Sequence, residues 1–218
     1  RQGFPPFRRT GKGSMVGASD TETRMRLIPS LALLFTLALP AGAETVLSEA
    51  SGNWAGSKGS GFTFLARLTQ NQDKARLTIW RGGPDSPATD AGGPDFDNPA
   101  IELGAFATRQ ELEVIDSGNG AILQVVVEFA DEEAEGRSVT QLQFIDNQYT
   151  VVGYYHLSKF YNPGGEPFSY ECDVDLWKMV SIDNGTERQL EPVGFEALNA
   201  SEWTYGAAFD RGFCTRTE

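Results

Sequence analysis

The stretch FTFLARLTQNQDKARLTIW, residues 62–80, alternates apolar and polar side chains on both sides of a short polar turn. Apolar residues occupy every second position, namely Phe62, Phe64, Ala66 and Leu68 before the turn and Ala75, Leu77 and Ile79 after it. Successive side chains of a strand point to opposite faces, so this pattern buries one face and exposes the other. The stretch therefore predicts a β-hairpin.

Similar strand-like runs continue along the chain, separated by short turns. They cover 100–106, 111–116, 120–130, 138–145, 149–157, 169–177 and the two runs that flank Asn184-Gly185. Asn-Gly favours a tight hairpin because both residues tolerate a positive φ. At least eight strands with almost no helical periodicity predict an all-β fold, either an antiparallel barrel or a sandwich.

Two other segments depart from this alternation. Residues 81–99 contain four glycines, four prolines and four aspartates, a composition that predicts an exposed loop. In residues 193–214 the apolar residues are spaced more widely, with alanines between them. This segment is predicted to form one or two short helical turns that pack on the sheet.

Gly52-Asn53-Trp54, just before the hairpin, resembles the Gly-x-Trp motif of the calycin group, which includes lipocalins and avidins. The resemblance implies a calycin-like up-and-down barrel whose first strand begins at this motif and whose end is closed by the tryptophan. It covers three residues, the second lipocalin motif is not found in the chain, and no ligand-binding residue is carried over. The alternative is that Trp54 plugs the end of any β-barrel or sandwich.

Residues 25–43 have the layout of a secretory signal peptide. Arg24 and Arg26 provide positive charge, residues 27–39 form an uncharged apolar run, and small residues end the segment at Ala43. Cleavage is expected between Ala43 and Glu44. The apolar run is shorter than the roughly 20 residues that a spanning helix needs, so no membrane span is expected in the mature form.

This layout predicts the organisation of the whole chain. Residues 1–24 are interpreted as an upstream or non-native disordered segment, and residues 44–218 as a single all-β domain. The mature protein is expected to be periplasmic or secreted.

The overall charge is strongly acidic, with 18 basic and 30 acidic side chains and a formal net charge of −12. The expected signal and upstream segments hold more basic than acidic residues, so the mature domain is more acidic still. Such a surface repels phosphates, which argues against nucleic-acid binding.

Cys172 and Cys214 both fall in the exported part of the chain. An oxidising compartment favours their pairing, and the bond would fix the C-terminal segment to a late strand. Two separate buried thiols are the alternative.

Residues suited to catalysis or metal binding are scarce. His156 is the only histidine, and strand alternation puts it on the same face as Ser158, which is not the arrangement of a nucleophile elbow. The acidic row Glu171, Asp173 and Asp175 is expected to be a solvated outer face. We therefore predict no catalytic residue, no metal site and no cofactor.

A cluster of aromatic residues near His156 is the best candidate for a binding surface. Its predicted members are Tyr154, Tyr155, His156 and Tyr161, with one of the adjacent tyrosines facing outward. The sequence thus favours a non-enzymatic protein of the cell envelope that binds a small molecule or an envelope protein. The alternatives are a carboxylate-dependent hydrolase acting through the acids around Asp173 and an envelope structural or inhibitor protein.

Overall fold

The computed structural model describes residues 44–56, 61–118, 120–161 and 166–215. The predicted upstream segment 1–24, the predicted signal peptide 25–43 and the Ala43 side of the expected cleavage site lie outside the described residues.

Eleven β-strands make up most of the described chain. In chain order they are β1 (Thr45–Asn53), β2 (Thr63–Asn71), β3 (Lys74–Arg81), β4 (Phe96–Leu103), β5 (Ala107–Asp116), β6 (Ala121–Ala130), β7 (Ala134–Ile145), β8 (Gln148–Phe160), β9 (Phe168–Asp175), β10 (Val180–Asp183) and β11 (Thr186–Gln189).

These strands form two antiparallel meanders rather than a closed barrel. One sheet has the order β1-β2-β3-β4, and the other has the order β11-β10-β9-β8-β7-β6-β5. The all-β prediction is confirmed, and of its two alternatives the structure is sandwich-like. The calycin-like barrel is not formed in the described part of the chain, because no strand ladder joins the two sheets.

The places where a barrel would have to close show why the sheets stay separate. Beside β1, the link to β5 uses a side chain, since the Leu112 N–H donates to Ser48 Oγ at 3.0 Å. Beside β4, the turn Ala200–Glu202 packs against the strand without forming a ladder with it.

The Gly-x-Trp motif ends a strand instead of beginning one. Gly52 and Asn53 are the last residues of β1, and Trp54 follows them into the core, where its ring stacks on Phe64 at 4.1 Å. The Ala121 N–H donates to the Trp54 carbonyl at 3.0 Å. Gly120, with φ +127°, allows this approach because a Cβ there would lie 2.5 Å from the Trp54 oxygen.

The predicted hairpin is present as β2 and β3, and their alternating apolar residues from Phe64 to Ile79 are buried. The predicted loop 81–99 is too long, because β4 begins at Phe96 and pairs with β3. Asn98, which looks like a loop residue in the sequence, points inward and is buried.

The predicted helical C-terminal segment consists of two 3-10 turns, Phe195–Leu198 and Ala200–Glu202, and a one-turn helix α1, Ala207–Asp210. It is tied to the sandwich at β4, since Asn98 Nδ2 donates to the carbonyls of Ala200 and Trp203, both at 2.7 Å.

The predicted disulfide is also present. Cys172 on β9 and Cys214 are bonded, with their Cα atoms 5.9 Å apart. This bond suits an oxidising environment. No helix in the described ranges has the length and apolar character needed to cross a bilayer.

Candidate functional site

The second half of β8 directs polar side chains into the interior. Tyr154, His156 and Ser158 alternate with outward residues, and all three are buried. Ser158 Oγ lies 2.6 Å from His156 Nε2, and the Tyr154 hydroxyl lies 3.5 Å from His156 Nδ1. Strand alternation therefore builds a short polar row, which we call the polar floor.

A cavity of about 390 Å³ lies over this floor. Its walls come from the β4–β5 turn, β6, the β6–β7 turn, β8, β9 and the C-terminal segment. The lining residues are Leu103, Ala105, Phe106, Val127, Phe129, Asp131, Ala134, His156, Ser158, Phe160, Tyr170, Tyr205 and Phe209. Most of these side chains are apolar or aromatic, as is usual for small-molecule sites.

Aromatic rings surround the imidazole of His156. Phe209 of α1 meets it edge-on at 5.3 Å, Phe129 stacks on it at 5.9 Å, and Tyr205 lies 6.2 Å away. This burial lowers the pKa of His156 to about 4, so the ring is neutral at pH 7.

A buried carboxyl group lies close to the floor. Glu102 of β4 is 1% exposed, and it accepts hydrogen bonds from Thr140 Oγ1 at 2.8 Å and Ser138 Oγ at 3.2 Å, both on β7 of the opposite sheet. Burial raises the pKa of Glu102 to about 7, although the two hydroxyls act in the opposite direction. Glu102 also contributes to the raised pKa of Tyr154 and Tyr205, behind the larger effect of burial.

The cavity mouth contains a strained aromatic residue. Phe106, in the turn between β4 and β5, has φ +62° and is 69% exposed. A bulky side chain rarely adopts this left-handed backbone, which costs roughly 1–2 kcal/mol. The Phe106 carbonyl is held by the Ala130 N–H at 3.1 Å.

The structure separates the four predicted binding residues. His156 lines the cavity and Tyr154 lies beneath it. Tyr155 lies on the opposite face of β8, where its hydroxyl donates to Glu171 Oε1 at 3.0 Å. Tyr161 is 46% exposed just after β8 and is not among the cavity-lining residues. A binding role for Tyr155 and Tyr161 stays a prediction.

The acidic row of β9 lies where alternation predicts it. Glu171 and Asp173 are exposed and Asp175 is partly exposed, while Cys172 and Val174 point inward. Asp175 Oδ1 accepts the N–H groups of the following turn. Burial and the two neighbouring acids raise the pKa of Asp173. None of these acids lines the cavity over His156.

The acids of the 81–99 segment do not converge on a common point. Asp90 pairs with Arg67 at 2.8 Å, Asp97 pairs with Arg76 at 2.7 Å, and Asp95 accepts the Arg81 N–H at 2.7 Å. In the described chain, atoms that could bind a metal ion come together at Cys172, Asp183 and Cys214. The two sulfur atoms, however, are already bonded to each other.

A second cleft, of about 750 Å³, lies beside Trp54 at the other end of the sandwich. It is larger, yet its polar side chains hydrogen-bond to nearby backbone groups. Gln143 Nε2 donates to the Ala121 carbonyl, and Asp175 accepts hydrogen bonds from two backbone N–H groups. The cavity over His156 is the better candidate site, because Ser158 and His156 bond to each other and face open space.

Sequence reasoning missed Glu102, Phe106 and Phe209. The adjacency of His156 and Ser158 followed from alternation, but the contact of Glu102 with β7 joins two sheets and has no local signal. Phe106 and Phe209 come from a turn and a one-turn helix, where no periodicity marks a wall residue.

Comparison with known proteins found no matching family model, no matching curated protein and no matching solved structure.

Proposed function

We propose that this chain is an exported, non-enzymatic binding protein that holds a small, mainly apolar molecule in the cavity over His156. The observation that carries the proposal is the cavity itself, about 390 Å³ of space with aromatic walls and a hydrogen-bonding floor. Pockets of this size, lined mostly by apolar groups with few polar ones, are typical of small-molecule sites.

The chemistry of the floor favours binding over catalysis. A general base works best when its pKa lies near the working pH, and the pKa of His156 is lowered to about 4 by burial. Such an imidazole is a weak base toward the Ser158 hydroxyl. The hydrolase alternative has less support, because its acids lie on the outer face of β9.

The strained mouth residue supports the same proposal. Backbone strain persists where surrounding structure enforces it, and it is concentrated at functional sites. Phe106 combines a left-handed backbone with an exposed ring at the cavity, an arrangement that core packing does not require. We assign to it the role of closing over a bound molecule.

Native mass spectrometry of the protein purified from its own envelope compartment tests the proposal directly. We expect a bound mass in addition to the polypeptide. In the variant Ala134→Trp the new side chain fills the cavity, so the bound mass should disappear. Ala130→Trp is the matched control, because Ala130 lies on the same hairpin and does not line the cavity. Equal retention by both variants would contradict the proposal.

The variant Phe106→Gly separates binding from stability. Glycine relieves the left-handed strain but adds flexibility to the unfolded chain, so the free energy of unfolding should change by less than about 1 kcal/mol. Retention of the bound mass should nevertheless fall, because the mouth ring is lost. Unchanged retention would remove Phe106 from the site.

A further inference from the structure

The cavity offers no positive charge to a ligand. Among the described residues that line it there is no lysine or arginine, and Asp131 is the single acid. Asp131 Oδ1 is occupied by the N–H groups of Glu133 and Ala134, at 2.8 and 2.7 Å. Burying a charge without a partner is costly, so an anionic head group at this floor would be strongly disfavoured.

The surroundings of the cavity reinforce this exclusion of anions. The carboxyl of Glu102 lies near the floor, in contact with Ser138, the cross-strand neighbour of His156. The chain as a whole carries a formal charge of −12. The net negative charge produces a negative potential that opposes carboxylate or phosphate ligands, and Glu102 adds to this potential when it is ionised.

The floor does suit an uncharged hydrogen-bonding group. His156 Nε2 and Ser158 Oγ share one hydrogen bond at 2.6 Å, so the serine uses only one of its donor and acceptor functions on the histidine. Whichever partner donates, the hydroxyl keeps capacity for a ligand. A ligand hydroxyl, which both donates and accepts, fits either arrangement.

We infer that the cavity selects lipophilic molecules with an uncharged head group, such as an alcohol, that hydrogen-bonds to Ser158. This inference rests on the proposed binding function. It adds a ligand class to that function: long-chain or aromatic alcohols are accepted, and the corresponding carboxylates are rejected.

Isothermal titration with two probes of equal chain length tests the inference: octanol and octanoate, each at a concentration where it is dissolved as a monomer, at pH 7.5. We expect octanol to bind at least tenfold more tightly than octanoate, because the carboxylate loses solvation without gaining a positively charged partner. Equal or tighter binding of octanoate would overturn the inference while leaving the proposed function intact. If neither probe binds, or if Ala134→Trp binds them as well as wild type, the proposed function fails as well.

The variant Ser158→Ala tests the role of the floor. It should weaken octanol binding roughly three- to tenfold through loss of one hydrogen bond. Ser169→Ala is the matched control, since Ser169 is an exposed serine on the adjacent strand β9. Thermal unfolding of both variants establishes that they fold, and unchanged octanol affinity in folded Ser158→Ala would contradict the assignment. If Ser158→Ala does not fold, the ranking of octanol and octanoate on wild type decides alone.

Discussion

The two ends of the sandwich are built in opposite ways, although the same strands run through both. At one end Trp54 stacks on Phe64 at 4.1 Å and meets Tyr149 edge-on at 5.9 Å, so aromatic rings pack against one another in the interior. At the other end the interior holds His156, Ser158 and a cavity of about 390 Å³. Tyr149 and His156 lie on the same strand, roughly 23 Å apart at 3.3 Å per residue.

The difference shows how one strand can serve two purposes. At the Trp54 end the inward side chains are large and apolar, and their packing stabilises the fold. At the His156 end the inward side chains of β8 are polar and hydrogen-bond to one another, and a cavity lies above them. Mutations at the first end should therefore act mainly on stability, and mutations at the second end mainly on binding.

The largest effect is expected for Trp54→Ala. Removing a buried tryptophan should lower the free energy of unfolding by about 3–5 kcal/mol. The matched change at the cavity end, Phe209→Ala, should cost only about 1–2 kcal/mol, because Phe209 is partly exposed and already borders open space. Urea denaturation of both variants measures the difference. Equal costs would mean that the two ends contribute alike to stability.

Reduction of the Cys172–Cys214 bond should have the next largest effect. The bond closes a loop of 42 residues, which corresponds to up to about 4 kcal/mol in the chain-entropy model. Because Tyr205 and Phe209 belong to the segment that the bond holds, reduction should also weaken ligand retention. Thermal unfolding with and without reductant tests this, and the variant with both cysteines changed to alanine should reproduce the result. An unchanged melting temperature would contradict it.

Glu102→Gln should change the pH dependence of stability. The pKa of Glu102 is raised from 4.5 to about 7, so the folded state favours the protonated form. The contribution of Glu102 to the free energy of unfolding is therefore complete below about pH 4.5. It is lost as the pH rises through about 7, a change of about 3 kcal/mol. The neighbouring Ser138, Thr140, Tyr154 and Tyr205 are all neutral in this range.

The titration of His156 changes stability with pH in the opposite direction, so its effect must be separated from that of Glu102. Its pKa is lowered from 6.5 to about 4, so its contribution is present above about pH 6.5 and is lost as the pH falls through about 4. The stability of wild type minus that of Glu102→Gln, measured by denaturant titration at several pH values, removes the His156 effect. This difference should fall between pH 4.5 and 7, and a constant difference would show that Glu102 does not titrate as described.

The smallest effect is expected for Tyr155→Phe. Tyr155 loses one partly exposed hydrogen bond to Glu171, so stability should change by less than about 0.5 kcal/mol. Tyr154→Phe, one residue earlier on the inward face, should cost about 1 kcal/mol and alter ligand retention. Denaturation together with native mass spectrometry compares them. A larger loss of bound mass in Tyr155→Phe would place the site on the outer face of β8.

The sequence predicted strands well where one face is buried and poorly where that signal is absent. The β2–β3 hairpin alternates cleanly and was found. β1 was not predicted as a strand, because none of its residues is fully buried. The start of β4 resembled a loop because it contains Asp97, Asn98 and Pro99, yet a proline is acceptable in an edge strand.

The site was predictable only in part, for a related reason. Alternation placed His156 and Ser158 on one face of β8, which is a local property of one strand. The pairing of Glu102 with Ser138 and Thr140 joins residues about 36 to 38 positions apart across two sheets, and no local pattern encodes it. Trp54 was correctly singled out as an end-filling residue. The calycin resemblance that drew attention to it, however, implied a closed barrel, which the described structure does not form.

The packing of the C-terminal segment along β4 also bears on self-association. β1 and β5 lie beside each other, and the turn Ala200–Glu202 contacts β4, so three of the four edge strands in the described structure have a neighbouring element. The remaining edge, β11, is four residues long and carries charges. An uncovered strand edge is a template for pairing with another molecule. The Cys172–Cys214 bond holds the end of the segment that contacts β4, so we expect it to limit pairing at this edge as well as unfolding.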